Sequence, residues 1–301
     1  MVLGPVTIGA GEAFSTLTAL TWAVAVVLFR RAGDRMPPVA LNLFKGLLGL
    51  VLSVLTMLVL GVGFVPEGVT VADFALVFVS GAVGIGVADT LFFMALNRMG
   101  AARLAIVDCT YSPFVMLASW VHLGEPVSAM LVPAVLLMAV AIIVGAWEPG
   151  AFQRSAWRRE KAGIALSTLS VLLMAVAIVA IKPILDTNDA WWVLTVRLAG
   201  GVCFLAVQGA LPRFRAEVLA ALRPSRAWLR AVPASFVGTY VAIFLWTLGM
   251  KLTYTNTASV LNQLSNVFIL PLAAIFLHER LGTRQVVAIV LGFSAGILAV
   301  L

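Results

Sequence analysis

Ten apolar runs divide the sequence. Each is close to the ~20 residues a helix needs to cross a bilayer, and short polar, basic or Pro/Gly breaks separate them. The first covers residues 13–29 and stops at Arg30-Arg31-Ala32-Gly33-Asp34. The second follows Pro37-Pro38 and ends at Gly61. The third covers 71–96, the fourth 101–122 with Gly124-Glu125-Pro126 behind it, and the fifth 127–147. A polar stretch, 148–161, contains Pro149-Gly150 and four basic residues, and is the one convincing internal linker. The sixth run covers 162–181 and is expected to stop at Lys182-Pro183. The seventh covers 190–210, the eighth 231–250, the ninth 254–277 and the tenth 282–301. The pattern predicts an all-α, polytopic membrane protein of ten transmembrane helices, divided as a first five-helix repeat (1–147), a cytoplasmic linker (148–161) and a second repeat (162–301).

Composition supports the bilayer as solvent. The chain is 62% hydrophobic and 11% charged, against about 45–50% and about 25% in soluble domains. A soluble core of this size could not hide so much apolar surface, whereas lipid carries no hydration penalty for it. The net charge of +7 does not point to nucleic acid, because the basic residues sit in short loops without an aromatic platform or a basic face. Cys109 and Cys203 both lie inside apolar runs and read as small buried hydrophobes rather than a disulfide or metal ligands. No basic segment precedes the first run, which is therefore read as a retained span and not a cleaved signal.

The basic residues fall on one side. The loops after the odd-numbered runs hold Arg30, Arg31, Arg35, Arg98, Arg103, Arg154, Arg158, Arg159, Lys161, Arg213, Arg215, Arg223, Arg226, Arg230, Arg280 and Arg284. The opposite loops hold only Lys182 and Lys251. The positive-inside rule places the odd loops in the cytoplasm and both termini outside, in a cell membrane. The long loop 211–230 reads first as a topology anchor, and alternatively as a short amphipathic helix against anionic lipid.

The two halves align with each other. At an offset of about 152 residues, residues 17–27 lie over 169–179, Asp34 over Asp186, Lys45 over Arg197 and Gly49 over Gly201. At about 154, Leu123-Gly124-Glu125 lies over Leu277-His278-Glu279, and Asp108 over Asn262. Five spans per half is an odd number, so the second half enters the membrane from the opposite side. Inverted repeats of this kind mark alternating-access transporters, with substrate held near the midplane between the repeats.

Leu123-Gly124-Glu125-Pro126 and Leu277-His278-Glu279-Arg280-Leu281-Gly282, each at the end of the fourth span of its half, make the chain resemble the drug/metabolite transporter superfamily, EamA type. The resemblance covers almost the whole chain. It implies a secondary transporter or exporter of small metabolites, with a cavity lined by spans 1–4 and 6–9 and with spans 5 and 10 peripheral. Members of that kind usually keep both termini in the cytoplasm, and the charge distribution here departs from that.

An ionisable residue at a helix centre in a membrane costs at least about 2.5–3.5 kcal/mol, and usually faces a cavity or a partner. Four such residues stand out: Lys45, Asp89, Asp108 and Arg197. Helical rise places Lys45, Asp89 and Asp108 roughly 10–12 Å from the cytoplasmic side, at one level where they could cluster. Arg197 lies at the mirrored depth. A poorly solvated carboxylate can load and release protons, and Lys45 and Arg197 could hold an anionic group. The structural alternative is an ion pair of Lys45 with an aspartate that fixes packing. Asn262, Gln263 and Asn266 in the ninth span, Tyr111 one turn from Asp108, and Trp22, Asn42 and Tyr240 complete the candidate cavity lining.

Two motifs mimic catalysis. Gly292-Phe293-Ser294-Ala295-Gly296 matches G-x-S-x-G but lies mid-helix, without the strand-turn-helix setting the motif needs, and reads as a small-residue packing face. Asp89 and Asp108 could imitate an aspartyl dyad, but no glycine adjoins Asp89 in the Gly84–Asp89 run as such proteases require. The absence of a P-loop argues against ATP hydrolysis. The expected protein is a non-enzymatic transporter of a small polar or amphipathic metabolite with no cofactor or metal. Its partners are the substrate, the lipid bilayer and, if a carboxylate couples, protons. The alternatives are a lipid-active flippase-like protein and a non-transporting membrane partner.

Overall fold

The computed structural model describes residues 9–33, 35–99, 104, 107–146, 157–277 and 283–301, and every regular element among these is a helix. The first half contains α1 (Ala10–Gly33), α2 (Pro38–Leu60), the long α3 (Val71–Met99), α4 (Tyr111–Leu123) and α5 (Leu131–Ala146). The second contains α6 (Trp157–Thr187), α7 (Ala190–Ala210), the short α8 (Pro212–Leu222), α9 (Trp228–Leu252), α10 (Thr255–Asn262), α11 (Leu264–Leu277) and α12 (Thr283–Leu298). The His278–Gly282 part of the second motif, Asp34, Arg103, Arg154 and Pro149-Gly150 lie outside the described residues.

Local chemistry explains most of the ends. Pro38 opens α2 at a position whose N–H has no helical acceptor in any case. Gly61 closes α2 in the left-handed region, φ 68°, with the N–H of Val62 donating to the Met57 carbonyl at 2.9 Å. Thr70 and Asp73 form a reciprocal capping box at the start of α3. Asp189 caps α7 through the N–H groups of Trp191 and Trp192.

Six described helices are long and apolar enough to cross a membrane: α1, α2, α3, the 161–187 part of α6, α7 and α9. Shorter apolar helices cover 131–144 and 286–298. The chain is a multi-pass membrane protein. Three expectations are corrected. First, Lys182-Pro183 does not end the sixth span. α6 continues to Thr187 with Pro183 inside it. Across this turn Lys182 Nζ lies 2.5 Å from Asp186 Oδ1 and also donates to the Lys251 carbonyl at 3.4 Å. Second, part of the 211–230 loop is the helix α8, and Val218 and Ala221 are buried against α2 and α7 rather than facing lipid. Third, the fourth and ninth spans are not continuous, as described below.

At the centre lies α7, the most enclosed of the six spans, against α2 on one side and α3 on the other. The α3–α7 crossing is backbone on backbone: a Cβ at Gly81 would overlap the Arg197 carbonyl, and one at Gly200 the Phe78 carbonyl. Close approach through small residues is how membrane helices gain packing when no hydrophobic effect drives them together. α5 and α12 pack mainly on each other at the edge, with Leu136, Val140, Val290 and Ile297 facing outward. Glycines Gly292 and Gly296 of the G-x-S-x-G segment lie against Val267 and Leu264 of α11, and the Ser294 hydroxyl bonds back to the Val290 carbonyl.

The ends of the molecule differ in charge. Arg230 reaches the Arg31 carbonyl at one end. At the other, Lys251 Nζ donates to the Asn188 carbonyl, and Thr253 Oγ1 donates to Glu12 Oε1 at 2.5 Å.

Candidate functional site

The third span of each half is underwound at a matched place. In α3 the turns Ala82–Ala88 are π-helical, and in α9 the turns Phe236–Ala242 are. Such wide turns release carbonyls from the helical ladder and are frequent at functional sites. In α3 the released groups are satisfied by side chains. Asn42 Nδ2 donates to the Ile85 carbonyl at 3.1 Å, Thr90 Oγ1 to Gly86 at 2.7 Å, and Ser170 Oγ of α6 to Ala88 at 2.7 Å.

Asp89 follows the wide turn directly. Its Oδ2 accepts from Lys45 Nζ at 2.6 Å, with Lys45 wholly buried and Asp89 nearly so. The Phe93 and Phe29 rings flank the ammonium, with centroids at 5.5 and 6.0 Å. The pair is dry and geometrically sound, so removal of either partner would strand the other charge.

The fourth span of each half is interrupted, again at matched places: at Cys109–Thr110 before α4, and at Gln263 between α10 and α11. Pro113 explains the first. It has no N–H for the Cys109 carbonyl and its ring crowds that carbonyl. The Thr110 hydroxyl turns back to the Val107 carbonyl at 2.7 Å. The second break has no proline at the corresponding position and is held by side chains. Gln263 Nε2 donates to the Asp108 backbone carbonyl at 2.6 Å, which the first break has freed. Asn266 Nδ2 donates to Gln263 Oε1 at 2.7 Å and to Asp108 Oδ2 at 3.3 Å. The two interruptions are thus joined across the halves. Asn262 ends α10 with both amide atoms buried and without a hydrogen-bond partner among the described residues.

Arg197 lies in α7 at the position matching Lys45, 3% exposed. Its guanidinium carbon sits 5.1 Å from the centre of the Trp246 ring of α9. Gly84 in the π-helical part of α3 makes room for it, since a Cβ there would stand 3.2 Å from Nη2. Arg197 Nε has no hydrogen-bond partner among the described residues. Tyr111 lies within electrostatic reach of Arg197 and Asp108, and Asp89 within reach of Arg197. Tyr111, Val115, Ala258, Val193 and Val196 share one buried cluster with Trp246 on its edge. Ala258 precedes Asn262 by one turn.

The candidate residues therefore separate. Lys45 and Asp89 form one pair, and Asp108 joins Gln263 and Asn266 in a second group. Arg197, Tyr111 and Trp246 form a third, next to the other two. Trp22 packs tilted against Phe29, centroids 6.4 Å apart, beside the α1–α2 core. Tyr240 lies in the π-helical part of α9, where its hydroxyl is 2.6 Å from Thr56 Oγ1 and its ring lies against Trp191 and Phe236. Trp22 thus reaches the Lys45–Asp89 pair only through the Phe29 ring among the contacts described. Trp246 and Gly84 were not singled out from the sequence. An apolar span offers no signal that selects one tryptophan or glycine among many. The Leu123-Gly124-Glu125-Pro126 motif has a structural role that sequence reading left open. Gly124 takes φ 64°, and the buried Glu125 carboxylate accepts the N–H groups of Thr255 and Asn256, at 2.9 and 3.2 Å, at the start of α10 in the other half.

Comparison with known proteins agrees with this architecture. A crystal structure superimposes with a TM-score of 0.79 over 97% of both chains at 17% identity, which is a likeness of fold. Protein PecM of Dickeya dadantii (strain 3937) is 27% identical over 225 residues, covering 72% of this chain and 71% of PecM. The model of the EamA-like transporter family matches residues 9–146 and 161–301. With interrupted helices meeting where the halves join and a family match along nearly the whole chain, the protein belongs to the EamA-like transporter family of the drug/metabolite transporter superfamily.

Proposed function

We propose that the protein is a secondary active transporter, exporting a small polar or amphipathic metabolite by alternating access between two inverted five-helix repeats, ten spans in all. The observation that carries this reading is the matched pair of interrupted helices, joined through Gln263 and the Asp108 carbonyl. Discontinuous helices in corresponding positions of two repeats mark the binding site of such transporters, because freed backbone groups are tolerated only where they line a cavity or find protein partners. Wide turns at equivalent positions in α3 and α9 support it, since two helices that store the same irregularity can exchange roles when the halves rock. Asp108 is the group available for proton coupling.

The basic end, with Arg31 and Arg230, is the cytoplasmic one in this reading, and the end with Lys182 and Lys251 faces outward together with both termini. A cysteine placed at the exposed Arg215 then reacts with an impermeant thiol reagent only in opened cells. The transport reading is tested by reconstituting the purified protein in liposomes, selecting metabolites that raise its melting temperature, and measuring counterflow of each. Accumulation of labelled substrate against a preloaded unlabelled pool supports it. Binding without any counterflow overturns it in favour of a non-transporting partner.

A further inference from the structure

Lys45 and Arg197 hold equivalent positions in the two halves, yet among the described residues only Lys45 has a countercharge against it. Asp89 is already engaged by Lys45 at 2.6 Å, and the position matching Asp89 in α9 is Ile243. The Asp108 carboxylate is bonded by Asn266. Arg197 is therefore a cation 3% exposed in a membrane protein, with Nε unbonded and no carboxylate against it among the described residues. Beside it stand Tyr111 and the Trp246 ring, whose centre is 5.1 Å from the guanidinium carbon. A buried cation without a partner is costly in a membrane protein, and it indicates a missing ligand.

We propose that Arg197 docks the anionic group of the transported molecule, and that this molecule is a small organic monoanion, a carboxylate on a flat apolar body. The guanidinium is planar and meets a carboxylate through two parallel hydrogen bonds, a geometry that an ammonium lacks. Its carbon lies 5.1 Å from the Trp246 ring centre, and its Nε has no partner among the described residues. The half-buried Trp246 ring and the buried cluster of Tyr111 and Val115 offer an apolar, flat wall to the rest of the molecule. One unpaired buried cation offsets one negative charge, which disfavours dianions. The proposal rests on the transporter reading but concerns the ligand alone.

The test uses the full-length protein in nanodiscs and matched probes: indole-3-acetate and phenylacetate against their uncharged amides, indole-3-acetamide and phenylacetamide. Melting temperature and tryptophan fluorescence are read together. The carboxylates are expected to raise the melting temperature of the wild type and the amides not. Arg197→Gln is expected to abolish the response, and Arg197→Lys to retain a weakened one at an unchanged fold. The proposal is overturned by an equal response to acid and amide, by no response to either carboxylate, or by an undiminished response in Arg197→Gln. Counterflow distinguishes the two readings. Transport of an uncharged or cationic solute that survives Arg197→Gln leaves the transporter intact and removes the anion site. An anion that binds through Arg197 but never exchanges leaves the site and removes transport.

Discussion

Lys45 Nζ and Asp89 Oδ2 meet at 2.6 Å in a buried pair, while Arg197, at the position matching Lys45, faces no carboxylate among the described residues. The two halves share a backbone plan and differ in charge. Breaking one side of a buried pair costs about 3–5 kcal/mol, because the survivor stays desolvated and alone. Lys45→Met is therefore expected to lower stability by about 3–5 kcal/mol. Lys45→Met combined with Asp89→Leu is expected to recover most of that. Arg197→Met, which removes an unpaired charge, is expected to raise the melting temperature instead. Thermal unfolding in detergent checks all three, and a loss in Arg197→Met equal to that in Lys45→Met would show that Arg197 is structurally paired.

The α3–α7 crossing leaves no room for a side chain. Gly200→Ala would drive its methyl into the Phe78 carbonyl, and Gly81→Ala into that of Arg197. Overpacking of this kind costs about 1–3 kcal/mol, more where backbone must move. Gly33→Ala, with nothing within 4 Å of its Cβ, is the control and is expected to be neutral or slightly stabilising. Folded yield by size-exclusion chromatography separates the two cases.

Glu125 ties the first half to the start of α10 through two backbone N–H groups. A carboxylate at a helix N-terminus satisfies orphan donors and complements the helix dipole. Glu125→Ala is expected to cost about 1–2 kcal/mol, with Glu125→Gln in between. A melting temperature unchanged by Glu125→Ala would remove the clasp between the halves.

Asp108→Asn preserves a side chain that Asn266 can bond and removes the group able to exchange a proton. Counterflow by the wild type is expected to vary with pH, and that by Asp108→Asn to be flat. If wild-type counterflow is itself independent of pH, proton coupling fails while transport stands.

Much of this was legible in the chain. Apolar run length fixed the bilayer as solvent, and the positions of runs such as 190–210 coincide with observed helices because lipid forces every backbone group to bond within its own segment. The chain also aligns with itself, Lys45 over Arg197, and the family model matches it in two segments. The chain also named Asp89, Asp108, Asn262 and Asn266, because polar groups are conspicuous where apolar ones are the rule.

Three-dimensional packing decided the rest. Depth along a helix put Lys45, Asp89 and Asp108 on one level, but azimuth is not written in depth. Lys45 turned to Asp89, and Asp108 to Gln263 and Asn266. Proline could have warned of the break before α4, yet Pro183 sits inside an unbroken α6. Whether a proline interrupts a helix depends on its tertiary surroundings. The Lys182–Asp186 pair spans the one turn, and at the other Gln263 bonds the Asp108 carbonyl from across the repeat interface. Sequence determined that this protein lives in a membrane as two related halves. Only the tertiary structure decided which buried charges are paired, because pairing depends on the direction in which side chains point from helices far apart in the chain.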